Sequence, residues 1–284
     1  MLRGRTEAAL FARQRAWLVI AGALLLGACQ TQTANFGRSE DDPDAAIASQ
    51  ANISSLSAAV TQNPSDANAY NVRGTAYGRA GKLKDAVADF DNAIRINPSF
   101  YQAYANRALV ERRLNRDDLA LADYNKAIEL NPSYAVAYVG RGNIYRQNNQ
   151  LQQALTDFNT AINLDSTDPR AFHNRALVEQ AMGQHEQAID DFTKAISNSP
   201  GNPEPFEGRG LSYLATGDYK AALEDFNEAI KRDKDSYEAW TNQGLALEKL
   251  GDKKKAFAAF AHAASLNPNY RPAKDGMRRT QNSA

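Results

Sequence analysis

The sequence predicts an all-α protein in which six helix hairpins of 34 residues stack into a right-handed α-solenoid, with a capping helix at each end. Three observations support this fold class. One pattern recurs every 34 residues from Ala67 to Tyr270 without insertion or deletion. Within it, small and aromatic residues recur at fixed places, and a glycine or asparagine lies near the middle of every copy. The copies are 67–100, 101–134, 135–168, 169–202, 203–236 and 237–270.

Each copy carries the apolar pattern of two helices. If the first residue of a copy is place 1, places 8 and 20 hold glycine or alanine, and place 27 is always alanine. Place 4 is aromatic in every copy: Tyr70, Tyr104, Tyr138, Phe172, Phe206 and Trp240. Place 24 is aromatic too: Phe90, Tyr124, Phe158, Phe192, Phe226 and Phe260. Places 4, 8 and 11 share one helical face and places 20, 24 and 27 share another, which predicts two closely packed antiparallel helices.

The ends of both helices are also marked. Place 15 is Gly81, Asn115, Asn149, Gly183, Gly217 and Gly251, and these two residue types tolerate the left-handed conformation that ends a helix. The first helix of each copy should therefore stop at about place 14. Proline at place 32 predicts the end of the second helix in four copies: Pro98, Pro132, Pro200 and Pro268.

A stack of hairpins needs a cover at each end, because a single hairpin cannot bury both of its faces. Residues 45–66 are predicted to form the N-terminal capping helix, since Leu56, Ala59 and Pro64 fall on places 24, 27 and 32 of a preceding unit. Residues 271–284 are polar and basic, with Met277 available to pack, and predict a C-terminal capping helix and tail.

These places resemble the tetratricopeptide repeat over residues 67–270. The resemblance implies that the first helices line a concave groove, with places 2, 5, 9, 12 and 13 facing a protein or peptide ligand. Some members of that family bind a C-terminal carboxylate with a clamp that includes a lysine at place 5. This clamp is absent here, because place 5 holds no lysine. The predicted groove residues are Arg79, Arg112, Arg113, Asn143, Arg146, His173, Leu177, Glu204, Glu207, Leu211, Leu245 and Glu248.

The groove residues change in character along the repeats. Their charge is basic around Arg112, Arg113 and Arg146 and acidic from Glu204 onward, and a line of leucines runs along the groove. Such a surface suits an extended peptide or a partner helix held in one direction. The alternative is an ordinary solvated face whose leucines pack locally.

A polar pair also recurs inside the repeats. Arginine occupies place 7 and aspartate place 23 in five copies, and both are replaced together in the sixth, by Gln243 and Ala259. We expect structural ion pairs within each copy; the alternative is an arginine ladder for anionic ligands. The residues are Arg73, Asp89, Arg107, Asp123, Arg141, Asp157, Arg175, Asp191, Arg209 and Asp225.

The N-terminal segment predicts a membrane anchor. Four arginines precede an uncharged apolar run from Ala16 to Ala28, as in a secretory signal peptide. Leu26–Gly27–Ala28–Cys29 resembles the bacterial lipobox, and Cys29 is the single cysteine of the chain. We expect a lipoprotein signal peptide at 1–28, lipid attachment at Cys29 and a tether over 29–44; the alternative is a signal peptide cut elsewhere. Localisation should be the cell envelope, at the periplasmic face of the outer membrane.

Several other functions are disfavoured. Without residues 1–28 the chain has 29 basic and 32 acidic residues, so no positive surplus favours nucleic acid. The three histidines occupy different places, and no metalloprotease, hydrolase, phosphate-loop or dinucleotide motif occurs. We expect no enzyme activity, no metal, no cofactor and no small-molecule substrate.

The lipobox, tether and repeats together resemble the plan of NlpI-type lipoproteins. That resemblance implies an adaptor, or scaffold, which brings cell-wall hydrolases to a processing protease. The alternative is an assembly factor similar to the PilF/PilW lipoproteins, which act in the assembly of an outer-membrane or pilus secretion complex.

Overall fold

The computed structural model describes residues 46–281, and this part of the chain contains fourteen helices and no strand. The predicted signal peptide, Cys29 and the tether lie outside the described residues. The helices are α1 (Gln50–Gln62), α2 (Ala67–Arg79), α3 (Leu83–Ile96), α4 (Tyr101–Arg113), α5 (Asp117–Leu130), α6 (Ala135–Gln147), α7 (Leu151–Leu164), α8 (Pro169–Ala181), α9 (His185–Asn198), α10 (Glu204–Thr216), α11 (Tyr219–Arg232), α12 (Tyr237–Lys249), α13 (Lys253–Leu266) and α14 (Arg271–Thr280).

Helices α2–α13 form six hairpins, and each second helix packs against the first helix of the following hairpin. First helices also contact one another from hairpin to hairpin, whereas second helices in the described part do not. The first helices therefore lie on the inner side of the curve and the second helices on the outer side. The predicted fold class, an α-solenoid of helix hairpins, is confirmed.

The first and last helices, α1 and α14, cover the two ends of the stack. Helix α1 packs on α2 and buries Ile53 and Val60, while Ala59 is exposed. Helix α14 packs on α13 and α12, buries Ala273 and Gly276, and brings Met277 against the core around Phe260.

The connection inside each hairpin uses the left-handed conformation at place 15. The φ angle is 58° at both Asn115 and Asn149, and lies between 75° and 89° at the four glycines. Asparagine and glycine are the residues that adopt this conformation most readily, so the first helices end where the pattern predicts.

The connection between hairpins uses a feature that proline alone does not explain. In five of the six copies an asparagine or aspartate oxygen at place 31 accepts the backbone N–H two residues later, as Asn97 does from Ser99 at 3.1 Å; repeat 4 has Ser199 at this place. Asp165 and Asp233 make the same turn in the two copies that lack proline at place 32. This side-chain turn ends the second helix in those copies too.

The core alternates over two repeats through repeats 1–5. In repeats 1, 3, 5 and 6 the aromatic ring at place 24 packs against a glycine at place 8 of the same repeat, as Phe158 does against Gly142. In repeats 2 and 4 place 8 is alanine, and the ring packs against glycine at place 6 of the next repeat: Tyr124 against Gly140 and Phe192 against Gly208. A side chain at these glycines would occupy the space of a buried ring.

Gly140→Ala is expected to lower the free energy of unfolding by about 1–2 kcal/mol. A Cβ there would overlap the Tyr124 ring, and the overpacking outweighs the better helix propensity of alanine. Gly201→Ala is the control, because a Cβ at Gly201 meets nothing within 4 Å. Urea unfolding followed by circular dichroism measures both, and equal stability of the two variants would contradict the packing argument.

Candidate partner-binding groove

The arginine at place 7 joins the two helices of five hairpins through a bidentate ion pair. In each hairpin Nε and Nη2 donate to the two carboxylate oxygens of the aspartate at place 23, at 2.5–2.8 Å. The aspartates are buried. The pairs are Arg73–Asp89, Arg107–Asp123, Arg141–Asp157, Arg175–Asp191 and Arg209–Asp225.

The same arginines reach back to the preceding hairpin, which the sequence pattern did not predict. In repeats 2–5 Nη1 donates to the side chain at place 25 of the repeat before, for example from Arg141 to Asn125 Oδ1 at 2.7 Å. In the sixth repeat, where the aspartate is replaced by buried Ala259, Gln243 keeps this bond by donating to Asn227 Oδ1 at 2.7 Å. The polar side chain at place 7 therefore links neighbouring repeats.

The arginines at place 7 have a structural role within the repeats. The bonded aspartate raises the pKa of Arg141 above its ordinary value, and the guanidinium carbon lies 5.6 Å from the centre of the Tyr138 ring. Because the donors of the guanidinium are bonded inside the stack, this arrangement provides structure and not a row of open anion sites.

A double-mutant cycle on Arg141 and Asp157 measures the pair. Arg141→Ala and Asp157→Ala are each expected to cost up to about 3–5 kcal/mol, with the larger loss in Arg141→Ala, because it leaves the buried Asp157 carboxylate without its partner, whereas Arg141 is half-buried. The double variant should cost clearly less than the sum of the two single variants. Additive losses in urea unfolding would contradict a direct interaction.

The arginines at the basic end of the groove have different surroundings within the chain. Arg113 Nη1 donates to the Gly78 carbonyl oxygen of the preceding repeat at 2.5 Å. Arg112 is half-buried and lies near Tyr124, whose pKa burial raises to about 12. Arg79 is exposed and lines a cavity of about 350 Å³ with Val72 and residues of the N-terminal cap.

The middle of the groove holds a buried histidine. Burial, with a smaller contribution from the Arg146 cation, lowers the pKa of His173 to about 4, so the ring is neutral near pH 7. Its Nε2 lies 4.0 Å from Glu204 Oε2, its ring packs edge-on against Phe192, and its Nδ1 makes no hydrogen bond. Asn143 is half-buried on the inner helix α6.

The leucines of the groove differ in exposure. Leu211 is 42% exposed, and Leu109, at the same place three repeats earlier, is 45% exposed. Leu177 is half-buried and packs against the core around Phe192, while Leu245 packs against the core around Phe260. Leu109 and Leu211 therefore offer the larger apolar surface to a partner.

The acidic residues of the groove differ in their bonding partners within the chain. Glu248 accepts two hydrogen bonds from Arg279 of α14, at 3.0 and 2.8 Å, so this carboxylate is paired within the chain. Glu207 accepts from Ser236 Oγ at 2.9 Å and is half-buried. Burial, with the nearby charges of Glu238, Asp233 and Glu204, raises the pKa of Glu207 to about 7.

A second alternation over two repeats, also missed by the 34-residue pattern, places buried carboxyl groups at place 11. That place is tyrosine in repeats 1, 3 and 5, but Glu111 in repeat 2 and Glu179 in repeat 4. Glu111 accepts from Arg116 at 3.2 Å. Gln184 replaces this arginine in repeat 4, and burial, with the charge of Asp191, raises the pKa of Glu179 to about 7. Comparing the copies at a period of 68 would reveal both glutamates.

Glu179→Gln is expected to stabilise the fold by about 1–3 kcal/mol at pH 8 and to have little effect at pH 5. A carboxyl whose pKa is about 7 when folded, and ordinary when unfolded, destabilises the fold progressively as the pH rises through this range. Glu111→Gln is the control at the same place and should give no gain, because it removes a charge that Arg116 compensates. Urea unfolding between pH 5 and 8 tests this, and parallel curves for Glu179→Gln and wild type would contradict it.

Other kinds of site are not found among the described residues. No three His, Cys, Asp or Glu side chains in residues 46–281 come together as a candidate metal site. Within the same range, no helix has the length and apolar character needed to cross a bilayer.

The fold and its inner surface define a repeat scaffold of the α-solenoid class. Models described as tetratricopeptide repeat match residues 71–135, 123–156, 169–202 and 208–271, and one described as TPR repeat matches 142–183. Together these matches cover more than half of the chain. The chain belongs to the tetratricopeptide repeat family.

Solved structures show the same fold. The APC/C hetero-tetramer Cut9–Hcn1 superposes with a TM-score of 0.72 at 18% identity; 84% of this chain is covered, and the chain spans 48% of that one. YrrB, described as a TPR protein with an unusual peptide-binding site, has a TM-score of 0.57 at 25% identity, with 66% and 97% covered. PilW, a type IV pilus biogenesis factor, has a TM-score of 0.67 at 18% identity, with 74% and 97% covered. No curated protein matches by sequence.

Proposed function

We propose that this protein is a lipid-anchored scaffold that holds a peptide or protein partner in its concave groove, at the periplasmic face of the outer membrane. The observation that carries the proposal is the inner surface itself: Leu109 is exposed beside the arginines at one end, and Leu211 is exposed beside the carboxylates at the other. Exposed apolar residues flanked by charges of both signs favour a directional macromolecular ligand. The peptide-binding site attributed to YrrB supports this type of ligand.

The anchor rests on the lipobox-like sequence that ends at Cys29. A lipid on Cys29 and a polar tether would place the groove near a membrane without a transmembrane helix. In that position the scaffold would deliver cell-wall hydrolases to a processing protease, as the NlpI-like plan implies.

The second candidate is an assembly factor for an outer-membrane or pilus secretion complex. PilW, described as a type IV pilus biogenesis factor, is covered almost completely by this chain. The identity of 18% makes this a likeness of fold. The partner itself must therefore decide between the two candidates.

Cross-linking in native envelopes, followed by affinity capture and mass spectrometry, tests the groove. The variant Leu109→Asp with Leu211→Asp should lose at least 90% of the partner that wild type captures. The matched control is Leu119→Asp with Leu164→Asp, because these leucines are 52% and 41% exposed on second helices. The control should retain the partner, and equal retention by both variants would move the binding surface out of the groove.

The same capture separates the candidate roles. Recovery of peptidoglycan hydrolases and a protease supports the adaptor, whereas recovery of a secretin supports the assembly factor. A Cys29→Ala chain tests the anchor in parallel: it should fail to incorporate labelled palmitate and remain an uncleaved precursor. A processed and lipid-labelled Cys29→Ala chain would rule out Cys29 as the attachment residue.

A further inference from the structure

Three carboxylates at the C-terminal end of the groove have no cationic partner from Lys or Arg in the described chain. They are Glu204 and Glu207 of α10 and Glu238 of α12, and they are here called the acidic end. The contact of Glu204 with His173 does not neutralise it, because burial keeps that ring uncharged near pH 7. Glu207 bonds to the neutral Ser236 hydroxyl. Glu248, by contrast, is paired with Arg279 and is not part of this group.

Two tyrosine rings accompany the acidic end. Tyr237 and Tyr270 pack edge to face with their ring centres 4.7 Å apart. Tyr270 lies close enough to the acidic end that Glu238 and Glu207, after burial, raise the pKa of its hydroxyl. Aromatic rings beside carboxylates form an environment that attracts organic cations, because the ring face and the carboxylate both carry negative potential.

The repeat supplies an internal comparison for this pair. Tyr101 and Tyr134 occupy the same two places four repeats earlier and pack in the same way, with ring centres 4.9 Å apart. The charged neighbour there is Arg170, which bonds to Asp168 and acts to lower the pKa of Tyr134 against the effect of burial. The aromatic pair is thus common to both ends, whereas the surplus of carboxylates belongs to the C-terminal one.

Apolar surface continues from the acidic end along the groove. Leu211 follows Glu207 by four residues and Glu204 by seven, so the three side chains share one face of α10. Leu211 is exposed. A ligand segment lying across α10 and α12 would therefore meet carboxylates beside an aliphatic side chain.

We propose that the acidic end binds a lysine or arginine side chain of the partner segment, whose neighbouring aliphatic residues contact Leu211. This inference rests on the proposed groove function and deepens it by giving the chemistry of the partner. Charge complementarity favours this occupant, because the ligand supplies the cation that the described chain does not. Burial first, and then the nearby carboxylates of Glu238, Asp233 and Glu204, raise the pKa of Glu207, and a bound cation would oppose the effect of those carboxylates.

The probes are three acetylated and amidated twelve-residue peptides with a fluorescent label, made of repeating Ser-Leu-Lys, Ser-Leu-Glu or Ser-Ser-Lys. Fluorescence anisotropy with the full-length protein in detergent at physiological ionic strength should show that the Ser-Leu-Lys peptide binds at least tenfold more tightly than either other peptide. Equal binding of the Lys and Glu peptides would overturn the inference, as would preference for the Glu peptide.

Matched variants then locate the site. Glu207→Gln with Glu238→Gln should weaken binding of the Ser-Leu-Lys peptide at least tenfold. Glu186→Gln with Glu224→Gln replaces two exposed carboxylates on second helices by the same neutral side chain and should change it less than twofold. Tyr270→Leu should weaken binding severalfold, whereas Tyr134→Leu should not. Circular dichroism verifies that each variant folds, and equal losses in the two glutamate variants would reduce the effect to net charge.

The pH dependence gives an independent readout. Affinity for the Ser-Leu-Lys peptide should fall between pH 8 and pH 6 in wild type, because Glu207 takes up a proton over this range. The Glu207→Gln, Glu238→Gln variant should show a flat profile, and an equally steep profile would contradict the site. If the peptides fail to discriminate while the leucine variant still loses its envelope partner, this inference fails and the groove function stands. If the peptides discriminate but the leucine variant keeps its envelope partner, the acidic end binds basic peptides and the proposed groove function fails.

Discussion

The bidentate bond between the arginine at place 7 and the aspartate at place 23 is the interaction on which the regular stack depends. It joins the two helices of a hairpin and, through the third guanidinium nitrogen, reaches the hairpin before it in repeats 2–5. A buried aspartate without this arginine would lose stabilisation of its charge, so the two residues are retained or replaced together. Gln243 with Ala259 in the sixth repeat illustrates the replacement: the buried charge disappears, and a neutral bond to Asn227 preserves the link between repeats.

The sixth repeat is stabilised from its other side by α14. Arg279 pairs with Glu248 across that interface, and Met277 packs against the core around Phe260. The repeat position alone assigns Glu248 to the ligand-binding groove, but this pairing shows that its carboxylate binds the C-terminal cap. A solenoid needs a different surface at its last hairpin from that at its inner hairpins, because the final inner face has a cap and not another repeat as its neighbour.

The sequence was sufficient to predict the hairpin stack and the ends of the first helices, because each depends on residue types at fixed places within one copy. The proline pattern did not predict the end of the second helix in repeats 3 and 5, where an aspartate turn takes its place. What else the sequence did not predict depends on differences between copies. The contact of Tyr124 with Gly140 requires a ring in one repeat and a missing Cβ in the next. Glu179 differs from Glu111 because Gln184 stands where Arg116 stands two repeats earlier. Likewise, place 13 alone cannot tell that Arg113 bonds to the Gly78 carbonyl.

These internal contacts change how the charge of the groove should be read. If the charged residues are assigned from their repeat places alone, the groove has a basic half and an acidic half with similar numbers of charges. Counted after internal contacts, Arg113 is bonded to the preceding repeat, the place 7 arginines to their aspartates and Glu248 to Arg279. Glu207 and Glu238 lack such a cation within the described chain. Since an uncompensated charge gains most from an added counter-charge, the acidic end has more to gain from a ligand than its share of the sequence suggests.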